Sequence, residues 1–243
     1  MEGEDKKRRT MDSTSWWALL LDLDGTLIRT DALHCSLWTE ILASYGITLT
    51  HDAYGARISG RSDAAIWAEW GMGTPEERAW WTEWKEQAFL RRIQETVPVA
   101  GGKERIEEWI RAGQWVGVVT NSNQRTALAL LDRIGVTHHL DVLITSDSKG
   151  IDPKPSPAPY QEALYQLGVP AERCIMVEDS EVGLASAKGV SPALLFRRSD
   201  DPVPSSPSNP PVLQDFWDER LTPPPFLYSH SSSSPSLPDS FLP

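Results

Sequence analysis

Two carboxylates one residue apart, Asp22 and Asp24, sit in the run Leu21-Asp22-Leu23-Asp24-Gly25-Thr26, where an apolar stretch stops and a glycine permits a turn. Side chains leaving the C-terminal end of a parallel strand can face the crevice where such sheets place ligands, so both acids could serve one reaction centre. An Asp-Gly pair after an apolar run is equally a hairpin signal. Three further segments pose the same choice. Thr120-Asn121-Ser122 offers hydroxyls, an amide and the N–H groups of an opening helix, which make either an anion site or an ordinary helix cap. Asp152-Pro153-Lys154-Pro155-Ser156-Pro157 brackets one lysine with prolines, which fixes the backbone and aims a cation, unless Lys154 is a solvated loop residue. Glu178-Asp179-Ser180, then Gly183, supplies two more acids, as ligands or as a charged cap.

The surrounding pattern places all four segments at strand ends. Residues 16–22, 115–120, 141–145, 174–178 and 193–196 are continuously apolar, as strands buried on both faces are. Segments with helical spacing lie between them, at 105–112, 125–134, 158–167 and 181–188. This alternation predicts an α/β protein with a parallel sheet and helices on both faces. One segment breaks the rhythm: 31–97 shows only helical patterns, at 34–45, 63–70 and 75–93, and holds six of the 11 tryptophans. A sugar- or base-stacking surface is one use for these rings. The i, i+3 and i+4 spacing of Trp67, Trp70, Trp80, Trp81 and Trp84 favours the core of a small helical bundle.

Charge narrows the partners. The chain has 243 residues with 34 acids against 23 bases, a net of −11. Residues 1–14 carry four of each sign and 199–243 carry six acids and one base, which leaves 24 acids and 18 bases between them. An anionic surface repels phosphate backbones and anionic lipid, so neither nucleic acid nor membrane is an expected partner. The 199–243 segment holds 11 of the 19 prolines and 11 serines and is expected to be mostly disordered, with 212–221 as a possible short docked helix. Two cysteines, no apolar leader and no run of 18 apolar residues predict a reduced, cytoplasmic setting.

Taken together, DLDGT, VVTNS, DPKPSP and VEDSEVGLASA, in this order with a helical insert after the first, resemble the haloacid dehalogenase-like hydrolase superfamily. The resemblance is to its branch of phosphoglycolate phosphatases, β-phosphoglucomutases and plant sugar-phosphate phosphatases. It runs from about residue 17 to 196 and includes Leu33-His34 with Trp38, Ile58-Ser59-Gly60-Arg61, and 98–102. Residues 187–192 are shorter and less alanine-rich than the pattern, and the chain after Arg198 matches little of it.

The resemblance implies a doubly wound, Rossmann-like sheet of five parallel strands in the order 3-2-1-4-5, with an inserted helical cap. The domains are then an N-terminal tail at 1–14, a catalytic core at 15–30 and 98–198, a cap at 31–97 and the tail at 199–243. It implies phosphoryl transfer in which Asp22 is the nucleophile and Asp24 protonates the leaving oxygen, then takes a proton from water. Like charges about 4 Å apart repel by about 4 kcal/mol at an effective dielectric of 20, so Asp22, Asp24, Glu178 and Asp179 around a phosphate call for a cation. Mg2+ suits an all-oxygen set: the side chains of Asp22 and Asp179, the carbonyl of Asp24, and Glu178 directly or through water. Lys154, rather than Lys149, supplies the fixed positive charge. Thr120 with the N–H groups of Asn121 and Ser122 binds the phosphate oxygens. Arg61 either reaches down from the cap to the substrate or faces solvent, and His34 packs in the hinge without a catalytic role.

The resemblance thus implies a Mg2+-dependent phosphatase for small organic phosphate monoesters, sugar or polyol phosphates or phosphoglycolate-like esters, acting through an aspartyl-phosphate, with one small phosphorylated metabolite as partner and a monomeric chain. A phosphomutase on the same scaffold and an idle core that displays the Pro/Ser tail are the alternatives.

Overall fold

Apolar runs without polar alternation become strands only when both faces are covered, and the central strand shows how. Leu19 and Leu21 pack with Trp109, Leu130 and Phe196 on one face, and Ala18 and Leu20 pack with Tyr160, Ala163 and Leu195 on the other. The computed structural model describes residues 16–196 and 211–224. The tail expected at 1–14, and the expected disorder at 199–210 and 225–243, lie outside these residues.

The chain runs β1 (Ala18–Leu21), β2 (Ile28–Arg29), α1 (Asp31–Ser44), α2 (His51–Arg57), α3 (Asp63–Trp70), α4 (Pro75–Arg91) and β3 (Val97–Pro98). It continues α5 (Gly102–Arg111), β4 (Trp115–Val119), α6 (Gln124–Ile134), β5 (Val142–Ile144), α7 (Ala158–Leu167), β6 (Cys174–Glu178), α8 (Glu181–Lys188), β7 (Ala193–Phe196) and β8 (Val212–Leu213). The main sheet has the order β5-β4-β1-β6-β7-β8, parallel throughout. β1 pairs with β4 (Leu21↔Val118) and with β6 (Leu21↔Val177), so the winding reverses around it. A crevice opens at the C-terminal ends of strands at such a reversal. None of the described helices is long and apolar enough to cross a membrane.

The five expected strands occupy their expected order, and the sheet has six. The sixth comes from the segment expected to dock as a helix at 212–221. Val212 and Leu213 extend alongside β7, and Glu219–Leu221 forms a single 3-10 turn. Two aspartates oppose a helix here: Asp215 accepts from the Trp217 N–H at 2.8 Å and Asp218 from the Arg220 N–H at 2.9 Å, local turns that compete with helical bonding. Leu213, Phe216 and Leu221 are fully buried. α5 holds the segment by its backbone, with Arg105 Nε donating to the Phe216 carbonyl at 2.9 Å and Trp109 Nε1 to that of Leu221 at 2.6 Å.

Helices α1–α4 have a core of their own, with Trp38, Ile41, Tyr54, Ile66 and Trp67 buried together and Trp38 edge-on to Trp67 at 5.3 Å. Most of the tryptophans therefore pack a bundle, while Trp80 is 59% exposed. Thr74 and Glu77 form a reciprocal capping box that, with Pro75, starts α4. Two features here left no readable pattern in the sequence: α2, and the antiparallel ribbon of β2 and β3 through which the chain leaves and re-enters the sheet. Strands of two residues are too short to show a period.

Candidate active site

β1 ends at Leu21, and the Asp22 N–H still bonds across to the Val177 carbonyl at 2.9 Å, so the Asp22 side chain leaves the sheet at its C-terminal edge. Beneath it lies Lys154, 3% exposed, delivered by the loop between β5 and α7. Lys154 Nζ donates to Asp22 Oδ1 at 2.7 Å, to Glu178 Oε1 at 2.5 Å and to the Val119 carbonyl at 2.6 Å. Tyr160 OH adds a second bond to Glu178 Oε1 at 2.6 Å. Burial works against the lysine's charge, but the two carboxylates outweigh it and hold its pKa above the ordinary value.

Asp24 faces four donors. Thr30 Oγ1 at 2.8 Å and His34 Nε2 at 3.4 Å meet Oδ1, and Ser122 Oγ at 2.7 Å and Thr120 Oγ1 at 3.2 Å meet Oδ2. Burial pushes its pKa up, but the bonds and charge of His34 with those of Ser122 and Thr30 win and hold it at about 2. His34 stacks on Phe89, ring centroids 4.7 Å apart. The sequence reading packs it in the hinge with no catalytic role; the structure shows that packing and adds a contact to Asp24.

The Thr120-Asn121-Ser122 segment divides its work. Thr120 and Ser122 face Asp24, and the Ser122 N–H also bonds Thr120 Oγ1 at 3.0 Å. The Asn121 side chain instead holds Lys154, taking its N–H at 3.0 Å and donating to its carbonyl at 3.0 Å, and donates to the Gly60 carbonyl in the helical layer at 2.9 Å. The helix-capping reading belongs one residue further on, where Asn123 Oδ1 accepts from the Thr126 N–H at the start of α6.

Asp179 approaches the turn after β1 so closely that a Cβ on Gly25, at φ 84°, would stand 1.8 Å from Asp179 Oδ2. Burial raises the pKa of both Asp179 and Asp22; Asp22, Asp31 and Glu178 raise Asp179 further, while Lys154 opposes the rise at both. One oxygen from each of Asp22, Glu178 and Asp179 lies within 4.8 Å of the others, and buried Glu178 Oε2 has no hydrogen-bond partner among the described residues. Crowded carboxylates with an unsatisfied oxygen are a donor set that fits a hard divalent cation such as Mg2+.

Above these residues lies a cavity of about 370 Å3 whose roof comes from α1–α4. Arg61, read from the sequence either as reaching the substrate or as facing solvent, lines the cavity with its Nη1 paired to Glu69 Oε2 at 2.5 Å. Glu86 joins roof to sheet edge by accepting from Arg125 and Asn123, both at 2.9 Å. The structure thus gathers Asp22, Asp24, Thr120, Asn121, Ser122 and Asp179 along one cavity floor, with Lys154 and Glu178 buried beneath Asp22. Sequence reading missed Tyr160, Thr30 and the part-buried Asp63–Lys85 pair in the roof; only the placement of Thr30 just past the first motif gave any signal.

The same residues are covered by known proteins. The family model for haloacid dehalogenase-like hydrolases matches residues 18–190. The fructose-1-phosphate phosphatase YqaB of Escherichia coli is 26% identical over 174 residues, covering 70% of this chain and 90% of the relative. A phosphoglycolate phosphatase of Rhodospirillum rubrum is 30% identical over 205 residues, covering 77% and 83%. The crystal structure of CbbY from Rhodobacter sphaeroides in complex with phosphate superposes with a TM-score of 0.68 at 25% identity, covering 83% of this chain and 95% of that one.

Proposed function

The chain belongs to the haloacid dehalogenase-like hydrolases, phosphoric monoester hydrolases among its relatives, and we propose that it is a Mg2+-dependent phosphatase for small sugar-phosphate-type monoesters. The observation that carries this reading is the pair Asp22 and Asp24 at the cavity floor, one braced by Lys154 and the other ringed by hydroxyl and imidazole donors. A carbon–halogen bond releases an anion that needs no proton; an ester releases an alkoxide that does. A second acid is therefore the mark of ester chemistry.

A carboxylate oxygen of Asp22 attacks phosphorus while the ester P–O bond breaks, and Asp24 gives its proton to the departing alkoxide. Ionised Asp24 then takes a proton from a water that attacks the aspartyl-phosphate at phosphorus. The bond between phosphorus and the Asp22 oxygen breaks, and inorganic phosphate leaves. Asp24 must enter this cycle protonated. A phosphate dianion beside it opposes its ionisation, and a substrate that draws Ser122 and Thr120 to its own oxygens removes two of the donors that favour the carboxylate. Lys154 holds Asp22 in place and balances charge from below. Mg2+, held by Asp22, Asp179 and the Asp24 carbonyl with Glu178 beside it, would neutralise the acids and the phosphate charge. Helices α1–α4 act as the cap that excludes water and reads the rest of the substrate.

The test is a panel of phosphate esters assayed with Mg2+ and with a chelator, using Asp22→Asn as the paired variant. Phosphate release that needs the metal and disappears in Asp22→Asn is the expected result. Equal turnover in the variant would overturn the mechanism.

A further inference from the structure

The cavity roof carries its own charge pattern. Among the described lining residues the lysines and arginines are Arg61 and Lys85, against Asp31, Asp63 and Glu86 on the same helical layer. Neither cation is unengaged. Arg61 is paired with Glu69, which Arg57 also holds at 2.8 Å. Lys85, 7% exposed, gives Nζ to both oxygens of Asp63, at 2.8 and 3.0 Å, and lies 5.5 Å from the centroid of the Trp38 ring. Asp63 itself sits in the first turn of α3, where the helix N-terminus favours an anion, and its side chain is 27% exposed. Asp31 accepts from Tyr54 OH at 3.0 Å and, among the described residues, has no basic side chain in ion-pair contact.

A substrate whose phosphate rests on the floor must present its other end to this roof. A second phosphate or a carboxylate there finds both cations engaged and meets Asp31 and Asp63 directly. Like-charge contacts of this kind are how a pocket rejects a wrong ligand. Hydroxyl groups, by contrast, are donors, and the carboxylates of Asp63 and Asp31 keep lone pairs free to accept them. Building on the phosphatase reading above, we infer that the Asp63–Lys85 pair selects monophosphates whose distal end is an uncharged polyol and excludes those bearing a second anionic group. Asp63 is the specificity-determining residue: it accepts the hydroxyls and keeps Lys85 from serving an anion.

The experiment uses the full chain with Mg2+ on size-matched substrates: a hexitol or hexose monophosphate, the corresponding bisphosphate, and 6-phosphogluconate as a carboxylated ester, with p-nitrophenyl phosphate as reference. The wild-type kcat/KM is expected to favour the uncharged-ended ester over both anionic-ended ones by about 100-fold or more. Asp63→Asn, which releases Lys85, should lower that ratio by about tenfold or more, chiefly by lowering KM for the anionic esters. Lys85→Gln should move the ratio the opposite way. Equal wild-type turnover of the bisphosphate, or variants that shift the ratio together or leave it unchanged, would overturn the assignment while p-nitrophenyl phosphate turnover leaves the phosphatase reading standing. Absence of turnover on every ester overturns both.

Discussion

Asn121 and Lys154 hold each other by reciprocal hydrogen bonds, the Lys154 N–H to Asn121 Oδ1 and Asn121 Nδ2 to the Lys154 carbonyl, each 3.0 Å. The loop after β4 thereby fixes the backbone from which the lysine reaches Asp22. Asn121→Ala leaves both Lys154 backbone groups without that partner. Stability is expected to fall by about 1–3 kcal/mol in urea unfolding, the cost of leaving such groups unpaired. Because the same amide also holds Gly60, kcat should fall further than stability alone accounts for.

Lys154→Met tests the cation itself. The substitution keeps the volume and removes the one charge that meets both Asp22 and Glu178. Removing one partner of a buried ion pair typically costs about 3–5 kcal/mol. Turnover should fall by about 10^3-fold, and the melting temperature should recover in part when the pH is lowered and the stranded acids protonate.

Metal binding and protons should compete. Burial and like-charged neighbours raise the pKa of Asp22 and Asp179 in the metal-free chain. A carboxyl whose folded pKa lies above its unfolded value binds more protons when folded, so metal-free stability falls as pH rises above about 4, the unfolded value. Mg2+ requires the ionised forms and reverses this trend. The rise in melting temperature on adding Mg2+ is expected to be larger at about pH 7.5 than at about pH 5, measured by scanning fluorimetry. An increment independent of pH would contradict this ligand set.

How much of this was legible beforehand follows from chemistry at short range. Asp22, Asp24, Glu178 and Asp179 are readable because each stands where an apolar run ends, and Lys154 because prolines flank it on both sides. The partners that set their behaviour are not. Tyr160 reaches Glu178 from a helix 18 positions earlier, and Lys85 meets Asp63 across 22 positions between two helices whose facing surfaces no local pattern reveals. Asn121 is readable as a cap or anion binder and does neither with its side chain; it joins two loops. In the tail, the docking of 212–221 is legible and its extended form is not. Its composition signals disorder, while three apolar residues, Leu213, Phe216 and Leu221, find a slot that only the finished core provides.

Phe216→Ala should therefore be costly although it lies in a Pro- and Ser-rich stretch. Phe216 is fully buried against Phe196, ring centroids 5.0 Å apart. Truncating a buried phenylalanine costs about 3–5 kcal/mol. A matching drop in the urea midpoint, with kcat per folded molecule preserved, is the expected outcome.

β8 also dictates when the molecule can be finished during synthesis. All the candidate catalytic residues have been added by Asp179, and β7, once it follows, still presents an open backbone edge beside an unfilled apolar slot. Arg105 and Trp109 must wait for carbonyls 111 and 112 positions further along. Pairings at such separation are late and slow. A chain interrupted after β7 carries every candidate catalytic residue and a bare strand edge that can pair with another chain. For this protein, ribosomal pausing or proteolytic nicking before residue 212 is an aggregation hazard, although it leaves every candidate catalytic residue in place.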